Sequence, residues 1–186
     1  ITLNYPAIND YVPSSEIVFN YTAEDATGFE NCSLYINNEF NRTNDTIENL
    51  ADNFFTVSGF TDGKYSFRVD CYDNATGHSF SQSDTNNFTV DLEDPLVSIT
   101  SPYNDSHLNY SIIIFEFTGS DSNLDYCALY GNFTGVFEEK ARNSTPNNGT
   151  SSTITTDISD GVYEWNIACF DKSGRFEQCV NNHTLV

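Results

Sequence analysis

The sequence predicts an all-β protein made of two tandem β-sandwiches of about seven strands each. Three observations predict this fold class. The chain repeats itself once, apolar residues alternate with polar ones at a period of two, and turn-forming residues separate the alternating runs. No stretch keeps a helical period over three turns. We therefore expect sheets throughout and no long helix.

An internal repeat divides the chain into two homologous halves. Three motifs recur: Glu16–Thr22 as Ile112–Thr118, Cys32–Tyr35 as Cys127–Tyr130, and Asp62–Asp73 as Asp160–Asp171. The separation between matching residues stays between 95 and 98, so insertions are confined to loops. We predict one domain over residues 1–92 and a second over residues 93–186, with the boundary at Leu92–Pro95.

Strict alternation marks the strands within each repeat. Ile17, Phe19 and Tyr21 alternate with polar or smaller residues, as expected for a half-buried strand of an antiparallel sheet. Turn clusters such as Thr61–Gly63 and Asp171–Gly174 lie between the alternating runs. Short strands at this spacing predict a sandwich in each half.

Composition excludes several classes of protein. The formal net charge is −20 with only seven Lys and Arg residues, which argues against binding to nucleic acid or to anionic lipid. Fifteen Phe and eleven Tyr residues supply a core, so the chain is not a disordered tail. No run approaches the ~20 apolar residues of a membrane span, and we expect no direct membrane insertion by this segment. The sequence starts at Ile1 with no signal peptide, as in a processed chain or an excised fragment.

Acceptor sites for N-glycosylation are unusually frequent. The composition predicts about five Asn-x-Ser/Thr sites by chance, and the sequence contains more than twice that number. The sites are Asn20, Asn31, Asn41, Asn44, Asn74, Asn87, Asn104, Asn109, Asn132, Asn143, Asn148 and Asn182. We therefore expect a glycosylated surface and an extracellular or cell-surface location.

The motifs resemble a known type of repeat. The pattern Cys-x-Leu-Tyr-x-Asn, followed by Asp-Gly-x-Tyr-x-(Phe/Trp)-x-x-x-Cys-x-Asp, is similar to the immunoglobulin-like or fibronectin type III-like repeats of archaeal and bacterial surface proteins. Those repeats occur in S-layer proteins, adhesins and extracellular filaments. The resemblance implies two immunoglobulin-like β-sandwiches and suggests an archaeal or bacterial source, with a eukaryotic ectodomain as a further alternative. It also implies that Tyr65 and Tyr163 are tyrosine corners, which pin a crossover of the sandwich.

Five cysteines in such a chain indicate an oxidising compartment. The repeat pairs Cys32 with Cys71 and Cys127 with Cys169, each joining the third and sixth strands of its domain. Each disulfide is expected to stabilise its domain by roughly 3–4 kcal/mol. Cys179 has no counterpart in the first domain. Three alternatives stay open for Cys179: a disulfide with another chain, a free thiol, or competition with Cys127 for Cys169.

Acidic side chains gather near the predicted boundary. Asp91, Glu93 and Asp94 are the candidate Ca²⁺ ligands, since Ca²⁺ takes six to eight oxygen ligands. Further carboxylates are expected in nearby loops, and they are Glu24, Asp25, Asp70 and Asp73. No ordered calcium-binding loop motif is present, and we expect no cofactor other than N-linked glycans and this Ca²⁺.

Catalytic motifs are missing from the sequence. His78, His107 and His183 lie in polar or turn-like settings without a matching nucleophile. Glu138 and Glu139 are adjacent, and adjacent residues of a strand point to opposite faces. We expect that the protein is not an enzyme.

Aromatic residues are predicted on the outside of the strands. Tyr35, Tyr72, Tyr130 and Phe170 are out of phase with the core residues of their strands. Side chains of this size in contact with water indicate a partner protein or a covering sugar.

Together these features predict a structural subunit of an extracellular glycosylated assembly, either a filament or a surface layer. Such a subunit self-associates with its own copies or with other surface proteins. Strand donation by Ile1–Tyr5 or by the final strand would be one mechanism. The alternative is an adhesin or receptor ectodomain that binds a protein or carbohydrate through its loops, with the polar segment Asn143–Ser152 as the predicted insertion of the second domain.

Overall fold

The computed structural model describes all residues from 1 to 186 and contains strands and turns but no helix. The chain divides into two compact units, residues 1–92 (domain 1) and 93–186 (domain 2). The prediction of an all-β sandwich fold is confirmed.

Domain 1 consists of two sheets. Its strands are β1 (Thr2–Tyr5), β2 (Tyr11–Val12), β3 (Glu16–Thr22), β4 (Phe29–Ile36), β5 (Glu39–Asn44), β6 (Asp52–Ser58), β7 (Gly63–Asp73), β8 (Phe80–Gln82) and β9 (Asn86–Val90). The smaller sheet has the order β1-β3-β6, and the larger sheet has the order β2-β9-β7-β4-β5 with β8 also paired to β7. The pairing of β2 with β9 is parallel, and all other pairs are antiparallel.

Domain 2 has the same arrangement. Its strands are β10 (Leu96–Ser101), β11 (Ile112–Ser120), β12 (Leu124–Gly131), β13 (Glu138–Asn143), β14 (Ser151–Asp157), β15 (Tyr163–Asp171), β16 (Phe176–Gln178) and β17 (His183–Leu185). The smaller sheet is β10-β11-β14, and the larger is β13-β12-β15-β16 with β17 also paired to β15. A parallel bridge between Ser106 and Leu185 stands where domain 1 has its parallel β2–β9 pair.

The core of each domain is aromatic. In domain 1 the ring of Phe19 lies 4.8 Å from that of Phe67 and 5.8 Å from that of Phe88. In domain 2 the ring of Phe115 lies 4.6 Å from that of Trp165, and both side chains are fully buried. The alternation of β3 and β11 places these residues between the sheets, and burial of each such ring contributes roughly 1.5–3 kcal/mol to the free energy of unfolding.

A disulfide crosses the larger sheet of each domain. Cys32 is bonded to Cys71 and Cys127 to Cys169, with Cα–Cα distances of 4.1 Å and 4.0 Å. Each pair is directly opposite across adjacent strands, β4 with β7 and β12 with β15. The bond therefore lies within one sheet and does not join the two sheets, unlike the inter-sheet disulfide of an antibody domain.

The position of the insertion in domain 2 differs from the prediction. The loop between β13 and β14 has the same length as the loop between β5 and β6 of domain 1, so Asn143–Ser152 is not an insertion. The extra residues lie in the β12–β13 hairpin, which spans residues 132–137, whereas the β4–β5 hairpin of domain 1 turns on Asn37 and Asn38 alone. Both asparagines have positive φ, as a two-residue hairpin turn requires.

Candidate functional surfaces

The twelve glycosylation sites all have side chains that water can reach. Seven of these asparagines are exposed and five are half-buried, and none lies in the core. The half-buried ones are Asn20, Asn31, Asn44, Asn132 and Asn143. The surface is therefore compatible with attached sugars, and whether the sites are occupied stays a prediction.

Asn148 has a second structural role. Its Oδ1 accepts a hydrogen bond from the backbone N–H of Asp121 (3.1 Å), and its Nδ2 donates to the Asp121 carbonyl (2.6 Å). In domain 1, Asn49 makes the same pair of bonds to the backbone of Asp25, at 3.0 Å and 2.7 Å. Because Asn49 is not in a glycosylation motif, closing this loop is sufficient to explain the asparagine at this position.

The aspartates of the Cys-x-Asp motif organise loops. Asp73 Oδ1 accepts hydrogen bonds from the backbone N–H groups of Ala75 and Ser79. Asp171 Oδ1 accepts bonds from the backbone N–H groups of Ser173 and Arg175. These bonds satisfy backbone donors after β7 and β15, so the motif has a role in folding.

Other acidic candidates are engaged within their own domains. Asp70 is paired with Arg68 (3.2 Å) and accepts a bond from Gln82. Asp25 accepts bonds from the backbone N–H and the hydroxyl of Thr27, and the hydroxyl bond is the largest cause of the lowered pKa of Asp25. Glu24 is exposed.

The candidate calcium ligands near the boundary lie in different settings. Asp91 is buried and Glu93 is exposed. The Asp94 carboxylate accepts a bond from the Arg175 guanidinium at 2.8 Å. In domain 2, carboxylate oxygens of Asp121 and Asp171 lie within 4.8 Å of each other, a proximity that the sequence did not reveal. Calcium binding stays a prediction.

Cys179 is a half-buried free thiol. Its Sγ lies 3.7 Å from the carbonyl oxygen of Val97, and burial raises the pKa of the thiol. Because the thiolate is the reactive form, this environment lowers its reactivity. Cys127 and Cys169 are bonded to each other, so the structure leaves Cys179 out of that disulfide.

The histidines do not form a shared site. His78 contacts the carboxylate of Glu30 at 2.8 Å on the surface of domain 1. His183 packs with its ring 5.2 Å from that of Trp165 in domain 2. No helix in the structure is able to span a bilayer.

The outward aromatic residues of the larger sheets are mostly covered. In domain 1 the Arg68 guanidinium lies 4.2 Å above the ring of Tyr35, which also packs against Phe40. In domain 2 the rings of Tyr126 and Phe170 are stacked 4.5 Å apart. Of the four aromatics predicted to be exposed, only Tyr72 is, whereas Tyr35, Tyr130 and Phe170 are half-buried. Their neighbours in the sheet, which the sequence pattern did not identify, explain the difference.

An apolar surface is formed in domain 2 by the first residues of β11 and the β10–β11 loop. Four large side chains, each more than half exposed, line one groove there: Tyr103, Tyr110, Ile112 and Ile114. We call this set the apolar face. The equivalent residues of domain 1 are Ala7, Ser14, Glu16 and Val18, so these four positions are mostly polar or small in domain 1. The apolar face was not predicted, although comparing the aligned repeats would have revealed it.

Comparisons with known proteins define the fold. No protein-family model and no curated protein matches the sequence. Among solved structures, the fibronectin(III)-like modules of Clostridium thermocellum CbhA match with a TM-score of 0.68 at 13% identity, covering 99% of this chain and 90% of that one. The chain is thus similar to fibronectin type III-like modules along its whole length, and at this identity the likeness shows the fold alone.

Two further structures resemble the chain more weakly. Dimeric latent PorU from Porphyromonas gingivalis has a TM-score of 0.38 at 13% identity, covering 98% of this chain and 19% of that one. The human OSCAR ligand-binding domain also has a TM-score of 0.38, at 16% identity, covering 97% of both chains. These two matches are weaker than the match to the CbhA modules, which of the three alone shows that the fold is all-β and fibronectin type III-like. Each of the two domains contains one internal disulfide.

Proposed function

We propose that the chain is a structural subunit of an extracellular, glycosylated assembly, a filament or a surface layer, and that it is not an enzyme. The observation that carries the proposal is the apolar face of domain 2. Tyr103 and Tyr110 of the β10–β11 loop and Ile112 and Ile114 of β11 are exposed around one groove, whereas domain 1 has Ala7, Ser14, Glu16 and Val18 at these four positions. A contiguous apolar surface on a soluble domain marks a site of contact with another molecule.

A second copy of the chain is the partner that we propose. The net charge of −20 makes two copies repel each other, and an apolar contact offsets that repulsion once salt screens it. Association is therefore expected to strengthen as the salt concentration rises. The disulfide of each domain and the accessible glycosylation sites support an extracellular location and resistance to proteolysis.

Strand donation is a less direct route to assembly in this structure. The N-terminal segment is already paired as β1 with β3, and the final strand β17 is paired with β15. Donation of either segment would require it to leave the sheet of its own domain. The edge strand β5 carries Glu39 and Arg42 and two glycosylation sites, which protect an edge against pairing with another chain.

The test is electron microscopy of the glycosylated protein at working concentration, with light scattering of the same sample over a range of salt. The variant Y103A/Y110S/I112E gives domain 2 the residues of domain 1 at three positions of the apolar face. V136S removes an exposed apolar side chain outside that face and serves as the control. We expect filaments or a lattice from the original protein and from V136S, and monomers from the triple variant.

The proposal would be contradicted if the original protein is a monodisperse monomer at every salt and calcium concentration. The alternative function, an adhesin or receptor ectodomain that binds a different molecule as a monomer, would then take its place. The polar segment 143–152, through which that adhesin was predicted to bind its partner, contains a loop no longer than its counterpart in domain 1. The β12–β13 hairpin, with exposed Val136 and Phe137, is the segment to mutate in that case.

A further inference from the structure

We propose that the first sugar of a glycan on Asn31 packs against the ring of Tyr72, in the place that the ring of Tyr126 occupies in domain 2. This inference rests on the proposed extracellular, glycosylated state of the protein. It assigns a structural role to one of the twelve glycosylation sites, namely to cover an aromatic side chain of the larger sheet in domain 1.

The strand register places the two residues side by side. Asn31 on β4 is directly opposite Tyr72 on β7, and Cys32 next to it is opposite Cys71. Directly opposite residues of an antiparallel pair have Cβ atoms about 4.5–5.5 Å apart on the same face of the sheet. A sugar attached to the Asn31 amide therefore starts next to the Tyr72 ring.

Domain 2 shows what lies at this position when no glycosylation site is present. Tyr126 takes the place of Asn31, and Phe170 takes the place of Tyr72 with the same pairing. The rings of Tyr126 and Phe170 are stacked with centroids 4.5 Å apart and planes inclined by 7°. Phe170 is half-buried between Tyr126 and Phe176, whose ring lies 5.1 Å away. Tyr72 packs against the ring of Phe80 at 5.3 Å, has Asn31 in place of Tyr126, and remains 41% exposed.

The chemistry of a sugar suits the exposed part of the Tyr72 ring. One face of a pyranose presents mainly C–H groups, and the face of an aromatic ring carries partial negative charge, so the two attract. The contact also removes apolar ring surface from water. The sugar thereby replaces the covering that Tyr126 provides in domain 2.

A second site in domain 1 has the same arrangement. Asn20 on β3 is opposite Phe54 on β6 and Tyr5 on β1, and these side chains are 51% and 41% exposed. Its Oδ1 accepts a hydrogen bond from Asn4 Nδ2 at 3.1 Å, which orients the amide.

In domain 2 all three positions of this second site change together. Glu116 replaces Asn20, Thr153 replaces Phe54 and Ser101 replaces Tyr5. At both sites, then, an exposed aromatic residue occurs opposite a glycosylation site in domain 1. Where domain 2 lacks the glycosylation site, the ring is either covered or missing.

The test compares thermal unfolding of variants secreted from a glycosylating host, with site occupancy measured by mass spectrometry. N31Q removes the sugar, N31Y replaces it with the ring found in domain 2, and Y72T removes the covered ring. N87Q is the matched control, because Asn87 on β9 is exposed and lies opposite Ser66.

We expect N31Q to lower the melting temperature of domain 1 by about 4 °C, and N31Y and N87Q to leave it unchanged. The double variant N31Q/Y72T is expected to lose no more than Y72T alone, because the two residues act through one contact. Protons of the first sugar on Asn31 should also show upfield NMR shifts that are lost in Y72T.

Three results would overturn the inference: an unoccupied Asn31, an N31Q variant that behaves like N87Q, or losses from N31Q and Y72T that add. An exposed Tyr72 ring that binds another protein would give the second result. These measurements concern the stability of domain 1 in the monomer. Failure of the assembly proposal would therefore leave them unaffected, and their failure would leave assembly unaffected.

Discussion

The two domains keep the same fold with different outer surfaces. Between the sheets, large side chains replace each other, as in Tyr21 with Phe117 and Phe67 with Trp165. On the outside, Glu16 of domain 1 corresponds to Ile112 of domain 2, and Asn31 corresponds to Tyr126. The comparison shows that the buried positions maintain the sandwich, whereas the outer positions give each domain its own kind of contact. Domain 1 has acceptor sites for glycosylation, Asn31 and Asn20, directly opposite exposed aromatic rings. Domain 2 has the apolar face, with the acceptor sites Asn104 and Asn109 next to it in the chain.

Removal of a disulfide is expected to have the largest effect on stability, and the loss should be equal in the two domains. The disulfides span 39 and 42 residues, so in the chain-entropy model each contributes about 4 kcal/mol to the free energy of unfolding. We expect C32A/C71A and C127A/C169A to lose similar amounts in urea denaturation followed by circular dichroism. Fluorescence of Trp165, the single tryptophan, should follow domain 2 alone. A clearly larger loss in one domain would show that the two sandwiches do not depend equally on the bond.

The stability of domain 1 should fall at alkaline pH through a tyrosine that domain 2 lacks. Burial raises the pKa of Tyr21 to about 12, against a smaller lowering by Asn44, and domain 2 has Phe117 at this position. Because the folded state keeps the proton more tightly than the unfolded state, this stability is complete below pH 10 and is lost as the pH rises toward 12.

We expect domain 1 to lose up to about 2.5 kcal/mol over that range. Denaturation at successive pH values should show this loss in the original protein and its absence in Y21F. An unchanged pH profile for Y21F would rule out Tyr21 as the cause.

Gly119 packs closely against the disulfide of domain 2, whereas its counterpart in domain 1 is Ala23. A methyl group should therefore be less well tolerated at position 119. A Cβ added at Gly119 would lie 2.7 Å from the Sγ of Cys169 and 2.9 Å from that of Cys127. We expect G119A to destabilise domain 2 by roughly 1–3 kcal/mol, as measured by Trp165 fluorescence. Normal stability of G119A would mean that domain 2 accepts the methyl group that domain 1 already has.

The smallest expected effect concerns the tyrosine corners. Tyr65 Oη donates to the carbonyl of Thr61 at 3.1 Å, and Tyr163 Oη donates to that of Asp160 at 3.3 Å. Y65F and Y163F should each lower the free energy of unfolding by about 1 kcal/mol, with the larger loss for the shorter bond. Thermal unfolding of the two variants measures these losses. An unchanged melting temperature for Y65F would contradict a stabilising role for the Tyr65 hydroxyl.

The fold was predictable from the sequence because strand alternation and the repeat depend on buried residues. Ile17, Phe19 and Cys32 fix the register wherever one face of a strand is buried, and the structure follows that register. The insertion in domain 2 was misplaced, because polar loops rich in Asn, Thr and Gly align equally well at several offsets. The stacking of Tyr126 on Phe170 could not be predicted, because it depends on which strands are neighbours.

The apolar face was missed for a different reason. Ile112 and Ile114 belong to an almost continuous apolar run, Ile112–Phe115, in which inward and outward residues look alike. In the structure Ile113 and Phe115 are buried, so Ile112 and Ile114 face outward. The available signal was the repeat, since Ile17 and Phe19 of domain 1 align with Ile113 and Phe115, and Glu16 aligns with Ile112.

The most direct test moves the apolar face from one domain to the other. A chain with Y103A/Y110S/I112E in domain 2 and A7Y/S14Y/E16I in domain 1 is compared with the original chain and with the domain 2 triple variant by light scattering in raised salt. We expect the triple variant to be monomeric and the exchanged chain to associate again. Association of the triple variant, or a monomeric exchanged chain that is correctly folded, would contradict the claim that these outer residues determine self-association.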